Sequence, residues 1–151
     1  MGSADLQRWF VSSKAEYLDD LLRAGETLDA AQSSVDESFE RYFPAGVPAG
    51  GHMVYSVISD GFPAGYLWIG PHNAAATSAW WVWDIAINAD QRGLGLGRAA
   101  MLLAEEVVRE HGGTTLGLNV FGFNTAARGL YESLGYETTS MRMLKRLAPE
   151  A

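Results

Sequence analysis

The apolar residues of the first 43 positions recur at helical spacing and predict two helices. The apolar positions are Leu6, Phe10, Tyr17 and Leu21 in the first helix and Ala31, Val35, Phe39 and Tyr42 in the second. Gly25 is placed to end the first helix, Thr27 can cap the second, and Pro44 stops it. Acidic residues outnumber basic ones in this region. We interpret them as a solvated face, and the alternative is that they rim an entrance for an amine.

From residue 50 onward the apolar residues fall in short runs that are typical of strands. Segments 52–59 and 65–70 flank the turn-like sequence DGFPA, which predicts a hairpin. Residues 71–78 are predicted to be a loop, and 79–87, AWWVWDIAI, a long central strand. Strict alternation along that strand would place Trp81, Trp83, Ile85 and Ile87 on one face and Trp80, Val82, Asp84 and Ala86 on the other.

The second half of the chain alternates helix and strand patterns. A helix with the apolar stripe Leu96, Ala100, Leu103 and Val107 is predicted to end at Gly112 and Gly113. A strand at 114–120, a helix at 125–135 and a final strand at 136–147 follow. A strand, helix, strand order implies a parallel pair, here one whose strands splay apart. The prediction is a mixed α/β fold, with a mostly antiparallel central sheet, a splayed parallel pair and flanking helices.

Composition narrows the class of protein. With 151 residues, 48% of them hydrophobic, the sequence predicts one domain over 1–151, with a helical substrate-side region at 4–43 and a core at 50–147. Residues 1–3 are interpreted as a cloning remnant. The net charge of −7 argues against a nucleic-acid partner, and the lack of any long apolar run argues against a membrane span. The absence of cysteine excludes disulfides and a cysteine nucleophile, and fits a cytoplasmic protein.

The segment DQRGLGLGRAA, residues 90–100, places three glycines between the central strand and the next helix. It is either a loose connector or a loop whose N–H groups converge on an anion at a helix start. A phosphate-binding P-loop is excluded because no Gly-Lys-Ser/Thr follows. A dinucleotide-binding loop is disfavoured because Asn119 and Val120, not an acid, end the following strand.

The run from Arg92 to Gly97 resembles the Arg/Gln-x-x-Gly-x-Gly/Ala loop of the GNAT family of N-acetyltransferases, and NTAARGLYESLGY resembles that family's second landmark. The resemblance extends over residues 53–147. It implies acetyl-CoA as co-substrate, with the glycine loop around the pyrophosphate and the pantetheine arm along the splayed strand. The implied cofactor residues are Ile85, Ala86, Ile87, Arg92, Gly93, Leu94, Gly95, Leu96, Gly97, Arg98, Asn119, Asn124, Ala127, Arg128 and Tyr131. For the three arginines the alternative is solvation, and for Asn124 it is a helix cap.

The resemblance also implies catalytic roles. Tyr131 occupies the position of a tyrosine that protonates the departing thiolate, and the alternative is a core aromatic. Asp84 is the candidate base for the amine, and the alternative is that it holds a loop or is turned from the site. Asn119 stands where some peptide N-terminal acetyltransferases of the family carry Glu, which disfavours their mechanism. No metal is expected, because His52, His72 and His111 are scattered.

The expected function is transfer of an acetyl group from acetyl-CoA to a primary amine of a small molecule or peptide, by direct attack on the thioester. The alternative is a catalytically silent acyl-CoA-binding sensor or interaction module. The first strand usual in the family is not evident, either through truncation or because it is missing. We expect that a partner subunit could cover the exposed sheet edge in a homodimer.

Overall fold

A computed structural model of the chain describes residues 1–75 and 77–150, so that residue 76, in the predicted loop 71–78, and residue 151 lie outside it. Up to the last helix, the helices and strands follow one another in the predicted order. The elements in chain order are α1 (Ser3–Arg23), α2 (Leu28–Tyr42), β1 (Met53–Ser59), β2 (Phe62–Pro71), β3 (Ala79–Ile87), α3 (Leu96–Glu110), β4 (Thr115–Leu118) and α4 (Thr125–Ser133). Single 3₁₀ turns occupy Pro44–Gly46 and Ala89–Gln91.

The four strands form one sheet in the order β1-β2-β3-β4. The pairs β1–β2 and β2–β3 are antiparallel, whereas β3 and β4 are parallel. This confirms the predicted mixed α/β fold with its mostly antiparallel sheet.

A β-bulge interrupts the alternation of β3. Trp68 pairs with Asp84 while the next residue of β2, Ile69, pairs with Val82, so Trp83 is an extra residue in β3. A bulge bends the strand and changes which face the following side chains occupy. Val82 packs beside α3, whereas Trp83 packs on Tyr42 of α2 and Asp84 contacts α1. The predicted strict alternation of this strand is therefore wrong.

The parallel pair is short. Only Ala79–Val82 of β3 pair with β4, opposite Thr115–Leu118, although β3 continues to Ile87. Among the described residues, the rest of that β3 edge has no strand beside it. The predicted splay of the two strands is confirmed.

Helices cover both faces of the sheet. The buried residues on the α1–α2 side are Trp9, Leu21, Ala31, Val35, Phe39, Phe43, Val54 and Trp68. Those on the α3–α4 side are Leu67, Ile69, Trp80, Val82, Met101, Ala104, Val108 and Tyr131. The candidate site lies where these two sides meet the free edge of β3.

The buried face of α3 differs from the predicted stripe. The helix buries Ala100, Met101, Ala104 and Val108, while Leu103 is 59% exposed. Apolar residues occupy more than one face of this helix, so periodicity alone does not select the face that packs on the sheet.

The predicted final strand at 136–147 is wrong. Residues 137–150 form no backbone–backbone hydrogen bond with other described residues. An ion pair between Arg142 and Glu26, at 2.8 Å, ties the segment to the corner between α1 and α2. Strand-forming residues produce a strand only when they pair with the edge of another strand. The last strand of the sheet, β4, has only four residues, Thr115–Leu118, and segment 137–150 does not pair with it.

Close approach of β2 and β3 requires Gly65. A Cβ at this position would clash with the carbonyl oxygen of Ala86 and lie 3.0 Å from the Cα of Ile87. We expect Gly65→Ala to lower the free energy of unfolding by about 1–3 kcal/mol, as overpacking does. Urea denaturation measures this. The control Gly50→Ala meets no atom within 4 Å, and equal midpoints for the two variants would contradict the prediction.

Candidate active site

The glycine loop between β3 and α3 adopts a conformation that favours glycine. Gly93 and Gly95 have φ values of 76° and 79°, and a Cβ on either would meet no atom within 4 Å. The space in front of the loop is therefore open. Gly97 serves a different purpose, because a Cβ there would lie 3.3 Å from the side chain of Leu130 on α4. Its small size lets α3 begin close to α4.

The N-terminus of α3 has no side-chain cap. By contrast, Thr27 caps α2 by accepting from the N–H of Ala30, and Asn124 caps α4 by accepting from the N–H of Ala127, at 3.2 Å. The first-turn N–H groups of α3 thus remain available to an anion, at the positive end of the helix dipole. The cap alternative for Asn124 is confirmed.

The three arginines predicted at the cofactor site each donate to a protein group. Arg92 donates from Nε to the carbonyl oxygen of Ile87, at 2.9 Å, and so closes the loop onto the end of β3. Arg98 donates to Ser133 at the end of α4, and Arg128 to the carbonyl oxygen of Gly122. All three are exposed. A guanidinium has five N–H donors, so these bonds leave others for a ligand.

The remaining predicted cofactor residues lie on β3, in the glycine loop, at the start of α3, just after β4 and on α4. Ile85, Ala86 and Ile87 line the free edge of β3, Leu94 belongs to the glycine loop, and Leu96 is the first residue of α3. Asn119 is exposed just after β4, and Ala127, on α4, is partly buried against the core. The predicted set therefore borders the gap between β3 and β4 and extends from α3 to the start of α4.

Asp84 is held by two hydroxyl groups. Its Oδ2 atom accepts from the Oγ of Ser13 on α1 and from the hydroxyl of Tyr66 on β2, each at 2.9 Å. The Tyr66 hydroxyl also lies 3.3 Å from Oε2 of Glu16. Burial raises the pKa of Asp84 above its usual range, the two hydroxyl bonds oppose that rise, and the charge of Glu16 adds to it.

Tyr131 lies close enough to Asp84 for the carboxylate to affect its ionisation. Its ring belongs to the core on the α3–α4 side and the residue is 9% exposed. Within the described chain its hydroxyl forms no hydrogen bond. Burial, and then the charge of Asp84, raise the pKa of Tyr131, which keeps the phenol protonated at neutral pH.

Ser13, Glu16 and Tyr66 were not identified from the sequence. One signal was present for Ser13: it interrupts the apolar stripe of α1 and is only 1% exposed. A buried polar residue on an apolar face needs a partner, and this partner is 71 residues away in sequence. Nothing in the local sequence indicates which group that is.

Two of the unassigned histidines flank Trp83. His52 accepts at Nδ1 from the indole N–H of Trp68, at 3.0 Å, and burial lowers the pKa of His52 to about 4. The imidazole is therefore neutral near pH 7. His72 packs on Trp81 with ring centroids 4.4 Å apart. Together these rings form an aromatic wall beside the bulge of β3.

A cleft of about 330 Å³ opens between the end of α1 and the start of α4. Its lining residues are Asp20, Arg23, Phe123, Asn124, Thr125 and Ala126. The guanidinium of Arg23 lies over the ring of Phe123, 4.0 Å from its centroid. The cleft therefore combines a carboxylate, a cation and an aromatic ring.

The described residues contain no group of three or more His, Cys, Asp or Glu side chains arranged to hold a metal ion. No described helix is both long and apolar enough to cross a bilayer.

Comparisons with known proteins agree on one family. Residues 15–136 match the model of the acetyltransferase (GNAT) family. The uncharacterized N-acetyltransferases YycN and YdgE of Bacillus subtilis are 26% identical over 149 residues and 29% identical over 113 residues. These matches cover 97% of this chain and 96% of YycN, and 74% of this chain and 72% of YdgE.

The fold comparison gives the same result. The crystal structure of YycN superposes with a TM-score of 0.88 at 25% identity, covering 99% of this chain and 96% of YycN. The glycine loop, the splayed strands and the tyrosine of α4 all lie within the matched residues. The chain belongs to the GNAT family of acetyltransferases.

Proposed function

We propose that the protein is an acetyl-CoA-dependent N-acetyltransferase that acetylates a primary amine by direct attack on the thioester. The observation that carries this proposal is the free edge of β3 beyond Val82. It runs from Asp84 to the glycine loop, behind which the N-terminus of α3 has no side-chain cap. A backbone edge suits an extended amide-containing arm, and a cluster of free N–H groups suits phosphate.

The residues at the loop fit the cofactor. Open space before Gly93 and Gly95 and unpaired N–H groups in the first turn of α3 would receive the pyrophosphate, with Arg92 and Arg98 beside them. The amides along Ile85 to Ile87 would hold the pantetheine arm. When bound, acetyl-CoA would supply an activated acyl carbon, and the N–H groups of the central strand would stabilise negative charge on its carbonyl oxygen.

Asp84 serves as the base. A primary amine enters as an ammonium ion and must lose a proton before it attacks. A carboxylate whose pKa is raised by burial is a better base near neutral pH than an exposed one. The hydroxyls of Ser13 and Tyr66 hold this carboxylate in place without neutralising it.

Tyr131 serves as the acid that protonates the thiolate leaving group. Its phenol is protonated at neutral pH and its hydroxyl is free of protein partners in the described residues. The ring of Tyr131 packs in the core on the α3–α4 side, and this packing does not occupy the hydroxyl group. The core and catalytic interpretations of this residue are therefore compatible.

The acceptor approaches from the α1–α2 side. Asp20 follows Ser13, the residue that donates to Asp84, by seven residues on α1. Seven residues are about two helical turns, so Asp20 and the cleft that it lines lie on the same face of α1 as Ser13, about 10 Å along the helix axis. Nine acids against four bases in residues 1–50 favour a cationic acceptor. Small-molecule and peptide amines both meet this description.

Cofactor binding is tested by Gly95→Glu. The new side chain would bring a negative charge to the proposed pyrophosphate site, and we expect CoA binding to be abolished in calorimetry. Gly112→Glu is the matched control, because Gly112 ends the same helix with φ 78° and equally open surroundings. It imposes similar backbone strain without touching the loop. Binding by the Gly95 variant as tight as that of the Gly112 variant would contradict the phosphate site.

Turnover is tested with acetyl-CoA and a panel of polyamines, aminoglycosides, amino acids and short peptides, read as release of free thiol. We expect at least one amine to be acetylated. Tyr131→Phe keeps the ring and should lower kcat by about 10²–10⁴-fold with little change in CoA affinity.

Tyr136→Phe is the control for this variant. Tyr136 lies 6.0 Å from the ring of Tyr131 and donates instead to Glu105 of α3, so its loss should leave kcat unchanged. CoA binding without turnover of any amine would favour the silent acyl-CoA sensor. Equal kcat for the parent and Tyr131→Phe would remove the hydroxyl from the mechanism.

Asp84→Asn should separate function from stability. Because burial raises the pKa of Asp84, its ionised form destabilises the folded state at neutral pH, and this penalty disappears as pH falls through the raised pKa towards the ordinary value of about 3.9. We expect the variant to lose turnover yet to unfold at higher urea than the parent at pH 7, with the difference shrinking towards pH 4. A less stable variant at pH 7 would show that the carboxylate is structural.

A further inference from the structure

We propose that Tyr66 and Glu16 form a proton exit that carries the proton taken up by Asp84 to the protein surface. The proposal rests on the proposed function, because Asp84 must first receive that proton from the acceptor amine. The Tyr66 hydroxyl lies 2.9 Å from Oδ2 of Asp84 and 3.3 Å from Oε2 of Glu16. One hydroxyl group therefore joins a buried carboxyl to an exposed one.

The need for an exit follows from the surroundings of Asp84. A base that has taken a proton must release it before the next turnover. Of the two hydroxyls on Oδ2, that of Ser13 belongs to a residue that is 1% exposed and offers no route to solvent. Tyr66 leads to Glu16, which is exposed on α1. Ser13 and Tyr66 lie at the same distance from Oδ2 of Asp84, but only Tyr66 also contacts an exposed carboxylate.

The transfer is balanced and leaves the phenol neutral. Protonated Asp84 gives its proton to the oxygen of Tyr66 while Tyr66 gives its own hydrogen to the carboxylate of Glu16. The O–H bond of Asp84 breaks, a new O–H bond forms on Tyr66, and the hydrogen that Tyr66 loses ends on Glu16, which releases it to water. The hydrogen that Tyr66 receives already faces Asp84, so the resting bond to Oδ2 re-forms without rotation. The phenolic hydrogen turns towards Glu16 again when Asp84 next takes up a proton.

The charges around the three groups are consistent with this path. Burial and the neighbouring carboxylates of Asp84 and Glu16 raise the pKa of Tyr66, so a free tyrosinate is disfavoured and both hydrogens move together. The titratable groups that act on Asp84 are Glu16 from α1 and Tyr66 from β2, and Asp84 in turn acts on Tyr131 of α4. In the described chain neither Asp84 nor Glu16 forms an ion pair, so no bound cation competes with the proton.

The experiment compares kcat with pH for the full-length parent, Tyr66→Phe and Glu16→Gln. The acceptor is the alkyl amine that turns over best in the panel, with a pKa of about 10. At pH 7 we expect Glu16→Gln to lower kcat about tenfold and Tyr66→Phe about 100-fold, since water replaces Glu16 more readily than it replaces the buried hydroxyl. Both defects should shrink as pH approaches 10, because an amine that is already neutral does not have to give a proton to Asp84 before it attacks.

Two control variants separate the exit from simpler effects. Ser13→Ala removes the other 2.9 Å donor to Oδ2, so it reports what the loss of one hydrogen bond to Asp84 does. Asp19→Asn removes one exposed negative charge from α1, three residues from Glu16, and should match the parent. Added imidazole buffer should restore part of kcat in Glu16→Gln and leave Ser13→Ala unchanged, because only the former lacks a proton acceptor at the surface.

The outcomes decide between the explanations. An active parent with Glu16→Gln equal to it at every pH would overturn the proton exit and leave the proposed function intact. A loss in Tyr66→Phe that is constant with pH, insensitive to buffer and matched by Ser13→Ala would show that Tyr66 only holds Asp84. A parent that binds CoA but acetylates no amine would overturn the proposed function and the exit together.

Discussion

The divergence of β3 from β4 after Val82 is the constraint on which the candidate active site depends. Up to that residue the two parallel strands satisfy each other's backbone groups, and beyond it the edge of β3 needs another partner. The bulge at Trp83 falls at the same point and turns Asp84 towards α1. Gly117 contributes from the β4 side, because any Cβ there would clash with the ring of Trp81. The end of pairing at Val82 thus leaves the edge of β3 open, and the bulge at the next residue orients the carboxylate of Asp84.

Asp84 illustrates what such a site costs the fold. The carboxylate lacks an ion-pair partner among the described residues and relies on hydroxyl donors, which stabilise a charge less than a guanidinium or ammonium does. An arginine in place of Ser13 or Tyr66 would lower the pKa of Asp84 and weaken it as a base. Neutral donors instead fix its position and leave its basicity raised by burial. In the proposed mechanism this arrangement favours proton transfer at the expense of stability.

The parts of the structure that could be predicted from the sequence are those encoded locally. Thr27 caps α2 as expected, and Gly25, with φ 102°, follows the end of α1. The glycine loop was recognisable because its residue types are required by its own backbone. The bulge at Trp83 was not, since it is defined by pairing with β2. The segment after Tyr136 has strand-forming residues, but only a partner edge would make them a strand. Contacts such as Ser13 with Asp84 depend on tertiary packing that no local pattern specifies.

Helix α1 contributes residues both to the core and to the surroundings of Asp84. Trp9 and Leu21 bury its apolar side against α2 and the sheet, while Ser13, Glu16 and Asp20 follow one another at intervals of three and four residues along a neighbouring face. Ser13 donates to Asp84, and Asp20 lines the cleft that we propose for the acceptor. One helix therefore sets both the position of the Asp84 carboxylate and its distance from the cleft at Asp20. If the proposed function holds, a substitution that shifts α1 to admit a different amine would also move the donor that holds Asp84, so that acceptor preference and the basicity of Asp84 would be coupled.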